Sequence, residues 1–309
     1  MYNHGMKKFI LIDGAGLIYR AFFAIPPHLS DAEGRPTNAL YGFASMLLNI
    51  LSLHRPDYIA VVFDRKEKTF RHEAYTEYKA TRAPAPDTLH EQIPRVKELL
   101  EKFHIQQFEK AGFEADDIIA TIASKTGGDV RVMIATADFD MFQLINPNIE
   151  ILYPEKGYRE GRFFTTDEVI KKYGLRPEQI PDFKALCGDP SDNIKGVDGI
   201  GKKTATDLLQ KYDTLDAIYQ NTDALSPSLK TKLLAGKESA YFCKDLATLR
   251  HNVPTDFTIE DCRLQDFDMT ELLNLFNTLG FNSLQGRLKK IGVNHVEAGK
   301  ETATQSALF

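Results

Sequence analysis

Short apolar runs alternate with amphipathic stretches over the first half of the chain. Lys8 to Ile12, Tyr58 to Phe63 and the VRVMIA run at 130–135 are compact, rich in β-branched residues, and bounded by polar ones, which predicts buried strands. His104 to Phe108 and Ile149 to Leu152 predict two further short strands. Between them the period changes. Thr37 to Leu53 places Leu40, Phe43, Ala44, Leu47 and Leu48 on one side, as a helix does, and Pro56 closes it. IIATIASK at 118–125, Leu89 to Phe103, and Thr166 to Tyr173 read as helices too, the last with Thr166 as its cap and Glu168 in its first turn. Strands alternating with helices predict an α/β domain with a mostly parallel central sheet. Beyond Pro181 the strands stop. Helical patterns follow after residue 205 with Leu208 and Leu209, from Leu225 to Leu249 with a break near Gly236, and from Thr270 to Leu279.

The ends of the strands carry the chemistry. Asp13 follows the first, Asp64 the second, and Asp138 with Asp140 the VRVMIA strand. Glu114, Asp116 and Asp117 stand before the helix that precedes that strand. Ligands of open α/β sheets sit beyond the carboxyl ends of strands. One acid after a strand is an ordinary turn or cap. The recurrence points to one acidic crevice, and carboxylates crowded together call for a divalent cation. Asp189 and Asp192 add a second pair further on.

Two basic features accompany the acids. Arg65 to Arg82 holds six Lys or Arg against three Glu, with Phe70, Tyr75 and Tyr78 interleaved, a mixture suited to phosphate contact and base stacking. A solvated surface helix is the plainer reading of such a stretch. The turn Gly199-Ile-Gly201-Lys202-Lys203-Thr204-Ala205 precedes a helix, so close-approaching backbone and free amides can meet a phosphate. It lacks the GxxxxGK[ST] spacing of a P-loop, and no strand precedes it as in a dinucleotide fingerprint.

Composition narrows the picture. The chain has 309 residues, a formal net charge of −5 and 43% apolar residues, room for two domains with no bulk positive charge. Three cysteines, at 187, 243 and 262, have neither disulfide-scaffold nor zinc spacing. No run is long enough to span a membrane, and the start lacks a signal peptide's apolar region, so a cytoplasmic setting is expected.

Taken in order, LIDG at 11–14, YRAFFA at 19–24, VVFD at 61–64, FRHEAYTEYKATRAPAP at 70–86, GFEADD at 112–117, TADFD at 136–140 and CGDPSDNIKGVDGIGKKTA at 187–205 resemble the 5′-nuclease domain of bacterial DNA polymerase I, in the flap-endonuclease superfamily with its PIN-like fold. The likeness covers about residues 7 to 290, and the chain stops where that polymerase's proofreading and polymerising domains would begin. The resemblance implies a catalytic domain at 7–180 with a helical arch or gateway at about 65–103, a helical DNA-binding domain at 181–290 with a helix–hairpin–helix turn at 199–205, and a disordered tail at 291–309. It implies a first metal position at Asp13, Asp64, Glu114 and Asp116, with Asp117 nearby, and a second at Asp138, Asp140, Asp189 and Asp192. Lys79 and Arg82 match the basic residues that orient the scissile phosphate, and with Asp116 they are the expected catalytic residues. Arg20, Arg71, Tyr75, Gly199, Gly201, Lys202, Lys203 and Thr204 fall at DNA-contacting positions. Phe139 departs from the lysine of many relatives, which costs a positive charge but no ligand.

The implied activity is 5′-3′ exonuclease and 5′-flap endonuclease hydrolysis by two metal ions, Mg²⁺ with Mn²⁺ able to substitute, leaving 5′-phosphates, and with K⁺ at the helix–hairpin–helix turn. The implied partners are DNA with 5′ flaps, nicks or 5′ ends and RNA-primed DNA, no membrane, a monomeric state, and a DNA polymerase and ligase as functional neighbours. A metal-dependent nuclease directed at RNA and a non-catalytic flap binder are the rival readings. A haloacid-type phosphatase is disfavoured because Asp13-Gly14 lacks the second aspartate.

Overall fold

The computed structural model describes residues 6–158 and 161–291; of the tail expected at 291–309, Ile291 is helical and buried and the rest lies outside the described residues. In chain order the elements are β1 (Lys7–Asp13), α1 (Gly14–Ala24), α2 (Asn38–His54), β2 (Tyr58–Val62), α3 (Phe70–Ala74), α4 (Asp87–His90), α5 (Ile93–Lys102), β3 (Gln106–Phe108), α6 (Ala115–Lys125), β4 (Val130–Ala135), β5 (Ile149–Tyr153), β6 (Arg162–Phe164), α7 (Thr166–Tyr173), α8 (Ile180–Cys187), α9 (Lys202–Tyr212), α10 (Leu215–Gln220), α11 (Pro227–Ala235), α12 (Lys237–Ala247) and α13 (Met269–Thr278).

The strands form one sheet in the order β3-β2-β1-β4-β5-β6. Every pairing is parallel except β5 with β6. The chain steps from β1 outward through β2 to β3, then returns to the other side of β1 for β4. That reversal opens a crevice at the carboxyl ends of β1 and β4, where such sheets bind ligands. Register sets what lines it. Ile12 is level with both Val61 and Ala135, so Asp13, Asp64 and Asp138 all emerge at one edge.

Alternation along β1 splits the core. Ile10 and Ile12 join α1, α2 and α5 on one face, while Phe9 and Leu11 join α6 on the other. A third cluster holds α8 to α12 together around Leu208, Leu209, Ile218 and Leu246.

Several expectations change in detail. A helix, α1, starts directly after β1, with Asp13 as its N-cap, where only an Asp-Gly turn was read. Thr165, rather than Thr166, is the N-cap residue of α7. β6 has only three residues, too few to show a period. The 65–103 segment is not one arch-like unit: Leu89, Val96, Leu99, Leu100 and Phe103 are core residues packed with α2, leaving the region from 75 to 86 outside. The last part of the chain also behaves differently from a continuation of the helical part. After α12, Leu249, Val253 and Cys262 pack on one face of the sheet, and Leu272, Phe276, Phe281 and Leu288 on the other.

Arg71 joins these parts, and its place corrects its expected role at the substrate backbone. It is fully buried, 1% exposed. Its guanidinium grips Asp117 of α6 through two bonds of 2.6 and 2.9 Å and donates to the carbonyls of Leu246 at 2.7 Å and Thr248 at 3.2 Å. The sheet, the basic segment and the end of α12 therefore share one side chain. Arg71→Met is expected to cost about 3–5 kcal/mol in denaturant unfolding, because Asp117 is left buried without its partner. Arg71→Lys should recover less than half, since an ammonium cannot reproduce the two-pronged contact. Wild-type stability in Arg71→Met, with duplex binding lost, would instead restore the surface role.

Candidate active site

The first group of acids sits at the crevice. Asp13 accepts from the Gly16 amide at 2.8 Å and from the Thr136 hydroxyl at 2.9 Å, and Thr136 in turn accepts from the Asp138 amide at 3.0 Å. Asp64 accepts from the Ala115 amide at 2.8 Å, which ties the end of β2 to the start of α6. Asp116 stands in the first turn of α6. The four carboxyls feel one another. Burial first, then Asp64 and Asp138, push Asp13 up to about 6. Burial, followed by the charges of Asp138, Asp13 and Asp64, pushes Asp116 well above the usual carboxylate range. Asp64 and Asp138 are displaced in the same direction, again mainly by the protein crowded around them, although water reaches both side chains. Among the described residues, none of the four forms an ion pair with a Lys or Arg.

Asp117 does not belong to this set. It is fully buried, and its oxygens accept from Arg71, from the Arg250 amide at 2.9 Å and from the Glu114 amide at 3.3 Å. Sequence spacing puts it beside the ligands, but folding turns it toward the structural guanidinium.

Glu114, Asp140, Asp189 and Asp192 form a different environment, rich in cations. Asp140, Asp189 and Asp192 offer oxygens that all lie within 4.8 Å of one another. Lys184 contacts both Asp140 and Asp189, and Arg82 reaches Asp192 at 2.5 Å. Lys79 reaches Glu114 at 2.7 Å, and the Tyr78 hydroxyl lies 3.1 Å from Glu114 and 3.0 Å from Asp192. The Lys79 amide bonds the Asp192 carbonyl at 3.1 Å, and Lys79 holds a left-handed backbone, φ 56°, costly for a residue with a side chain. Burial disfavours the Lys79 charge, but Glu114 and Asp192 outweigh it and keep the ammonium protonated. Burial likewise acts against a charged Asp189, yet Lys184 and Ser191 hold it below the usual range.

Tyr78, Thr136 and Lys184 were missed as site residues. Tyr78 was read as a stacking aromatic but is buried. Lys184 had a signal: it interrupts the apolar helix stretch Phe183-Lys-Ala185-Leu186 just before an acidic loop. Tyr75 is half-buried, its ring edge-on to Phe242 at 5.7 Å, so its main contact is packing. Arg20 is exposed on α1. In the turn, Gly199, Gly201, Lys202 and Lys203 are exposed, Thr204 is half-buried, and Ile200 is anchored in the core of the helical part. Gly201 caps α9 without a side chain, leaving the first amides of that helix to outside partners.

The donor set tests which cation fits. It is all oxygen, which suits hard divalent ions. Burial pushes the Cys187 thiol up to about 11, so it supplies no thiolate. A cluster able to coordinate a divalent ion is present.

A family model described as 5'-3' exonuclease, N-terminal resolvase-like domain, matches residues 8–174, and a model described as 5'-3' exonuclease, C-terminal SAM fold, matches 175–270. DNA polymerase I of Caldicellulosiruptor bescii is 40% identical over 294 residues, covering 94% of this chain and 34% of that protein. The chain spans about a third of the length of the curated relatives it matches. Among solved structures, phage T5 5'-exonuclease with zinc bound has a TM-score of 0.65 at 21% identity, covering 94% of this chain and 99% of that one. A phage T5 flap endonuclease in complex with DNA and metal ions has a TM-score of 0.62 at 20% identity, covering 92% and 98%. The matched models and the acidic edge define a metal-dependent nuclease. More particularly, the chain belongs to the 5'-3' exonuclease family found in bacterial-type DNA polymerase I.

The crevice carboxyls make a stability prediction. Asp116 and Asp13 keep protons in the folded chain at a pH where the unfolded chain has lost them. Their contribution is present below the ordinary carboxylate range and is lost as pH rises, through about 6 for Asp13 and through a raised value for Asp116 as well. Without divalent ions, Asp116→Asn should therefore gain stability relative to wild type as pH rises above the ordinary carboxylate range. Mg²⁺ should narrow the gap. A gap independent of pH, measured by urea unfolding, would remove the coupling.

Proposed function

We propose that the chain is a structure-specific 5′-nuclease, cutting 5′ ends and 5′ flaps of DNA and RNA-primed DNA and leaving 5′-phosphates. The observation that carries this is the pairing of Lys79 and Arg82 with the carboxylates of Glu114 and Asp192, at 2.7 and 2.5 Å. It puts two phosphate-binding cations against an edge suited to divalent ions. Asp13, Asp64, Glu114 and Asp116 would hold one Mg²⁺, and Asp138, Asp140, Asp189 and Asp192 another, with Mn²⁺ able to substitute. The ions supply activation of water and neutralisation of the phosphate when bound. The chain's own residues do the rest. Glu114 and Asp192 hold Lys79 and Arg82 at the crevice until a phosphate takes over their hydrogen bonds. Tyr78, whose one hydroxyl proton is shared between the same two carboxylates, fixes the segment that carries them.

The largely exposed region from 75 to 86, with Tyr78 buried beneath it, would act as the gateway over this edge; the contacts of Lys79 and Arg82 support that reading. Grip on the duplex falls to the 199–205 turn, whose free helix amides meet phosphate without reading bases. A K⁺ ion there would find the Gly199 carbonyl already accepting from Lys232 at 3.2 Å, and no step is assigned to it. In this reading the protein acts as a monomer in the cytoplasm, ahead of a polymerase and a ligase.

Incubation with end-labelled 5′-flap, nicked and single-stranded substrates tests the reading. Mg²⁺-dependent cleavage at a fixed distance from the junction, independent of sequence, is expected. Binding without cleavage would favour the flap binder, and preference for RNA without a duplex would favour the RNA nuclease. Lys79→Ala and Arg82→Ala should each lower the single-turnover rate about a hundredfold while changing duplex affinity only a few-fold, because their charge is needed most in the transition state. Gly201→Val should do the opposite. A Cβ there meets nothing within 4 Å, so the fold survives and only the approach of phosphate is blocked. Duplex affinity in a fluorescence titration should fall about tenfold or more, with divalent binding by calorimetry unchanged. Unaltered duplex affinity would make the turn structural.

A further inference from the structure

The two groups of acids are neutralised very differently, and one buried lysine supplies a large part of the difference. α8 carries two charged side chains that point apart, as residues two positions apart on a helix must. Asp182 turns into the helical part, where it pairs with Lys244 at 2.6 Å and accepts from the Leu215 amide at 2.9 Å. Lys184 turns to the acidic edge, with its side chain only 7% exposed, and contacts both Asp140 and Asp189. Its charge also acts on Asp138. Arg82 covers Asp192 from the other side. The trio Asp140, Asp189 and Asp192 thus carries two cations against three acids. Among the described residues, Asp13, Asp64, Asp116 and Asp138 have no cation at ion-pair distance.

We propose that Lys184 is a resident counter-ion of the Asp140–Asp189–Asp192 trio, so that a divalent ion enters the trio only in exchange for the lysine ammonium. The consequence is an order of filling. The first position takes its ion readily: of its carboxylates only Glu114 is paired, with Lys79 and Arg71, and binding relieves repulsion among Asp13, Asp64 and Asp116. The trio binds more weakly, because the incoming ion must break two ion pairs already formed in a poorly solvated place. Lys184 acts here as a positioning and affinity-setting residue. It holds Asp189 and Asp140 together while the trio lacks an ion, and it discourages ions from filling the second position alone. The inference rests on the nuclease reading for the divalent ions, but its test needs no cleavage.

Calorimetric titration of the DNA-free protein with Mg²⁺ should show two classes of site in the wild type. Lys184→Met keeps the length and apolar stem and removes the charge. It should lower the thermal midpoint of the metal-free protein, tighten the weaker class about tenfold or more, and leave the stronger class within about twofold. Lys184→Arg, which keeps the charge, should leave the weaker class weak. A purely structural lysine would give the loss of midpoint with no tightening, and that result overturns the proposal. The wild type supplies a second readout should Lys184→Met fail to fold. The Lys184 ammonium, observed by nitrogen NMR, should change its hydrogen-bonded signal with filling of the weaker class and not of the stronger. A signal that follows the stronger class, or neither, overturns the proposal as well. No Mg²⁺ binding of either class would bring down the nuclease reading along with it, whereas two classes unaffected by Lys184 would bring down this inference alone.

Discussion

A buried guanidinium holds the active edge in place. Arg71 contributes its fork to Asp117 and two further bonds to the carbonyls that end α12. Burying a charge is tolerable only when every donor finds an acceptor, and here the acceptors come from α6 and from a chain segment more than a hundred residues away. Asp117 is in turn the partner of Glu114 in the capping box that starts α6. The position of Glu114, and of Asp116 between them, therefore depends on a contact that never touches substrate. The Arg71 fork also lies 3.3 Å from Glu114, so the same cation steadies the acid that faces Lys79.

Around that fixed point the molecule distributes its charges unevenly. The strand-end acids crowd together without a cation and respond by holding protons more tightly. Asp189 and Asp192, brought by the helical part, meet Lys184 and Arg82, and Glu114 meets Lys79. The unevenness follows from how the two groups are built. Strand ends converge because sheet register forces them to, and register supplies no counter-charge. The other group forms where separate segments fold against each other, and such segments can each bring a cation.

This division also explains what could be read from the sequence. Strands ending in Asp13, Asp64 and Asp138 were legible because hydrophobic runs and their following residues are local features. Their convergence at one sheet edge then follows from ordinary α/β topology. Arg71 and Asp117 were misplaced for the opposite reason. An arginine in a basic stretch looks exposed, and only the carbonyls at Leu246 and Thr248 make its burial possible. Tyr78 suffered likewise: among basic neighbours it resembles a stacking residue, but its hydroxyl closes a contact between Glu114 and Asp192. The return of Leu272, Phe276 and Phe281 to the sheet was hidden because a helical period shows that a face is apolar, not which surface it covers. β6 was too short to leave a pattern at all.

The loop between α8 and α9 brings grip and chemistry into one piece of chain. Gly188 and Gly196 both hold positive φ, 74° and 70°, and approach so closely that a Cβ on Gly196 would lie 2.3 Å from the Gly188 amide nitrogen. Between them, Asp189 and Ile194 exchange backbone bonds of 2.7 and 2.8 Å. The loop is thus pinched shut, with little freedom for Asp189 or Asp192 to drift. Directly after the pinch, Val197 bonds back to the Leu186 carbonyl at 2.9 Å and the chain enters the 199–205 turn. Lys79 docks on the same loop through the Asp192 carbonyl. A duplex held by the turn would therefore press on a stiff loop whose acids face the crevice and whose backbone positions a phosphate-binding lysine. In the proposed reading, the distance from grip to cut would be set by covalent connection and packed glycines, and base sequence would have no part in it.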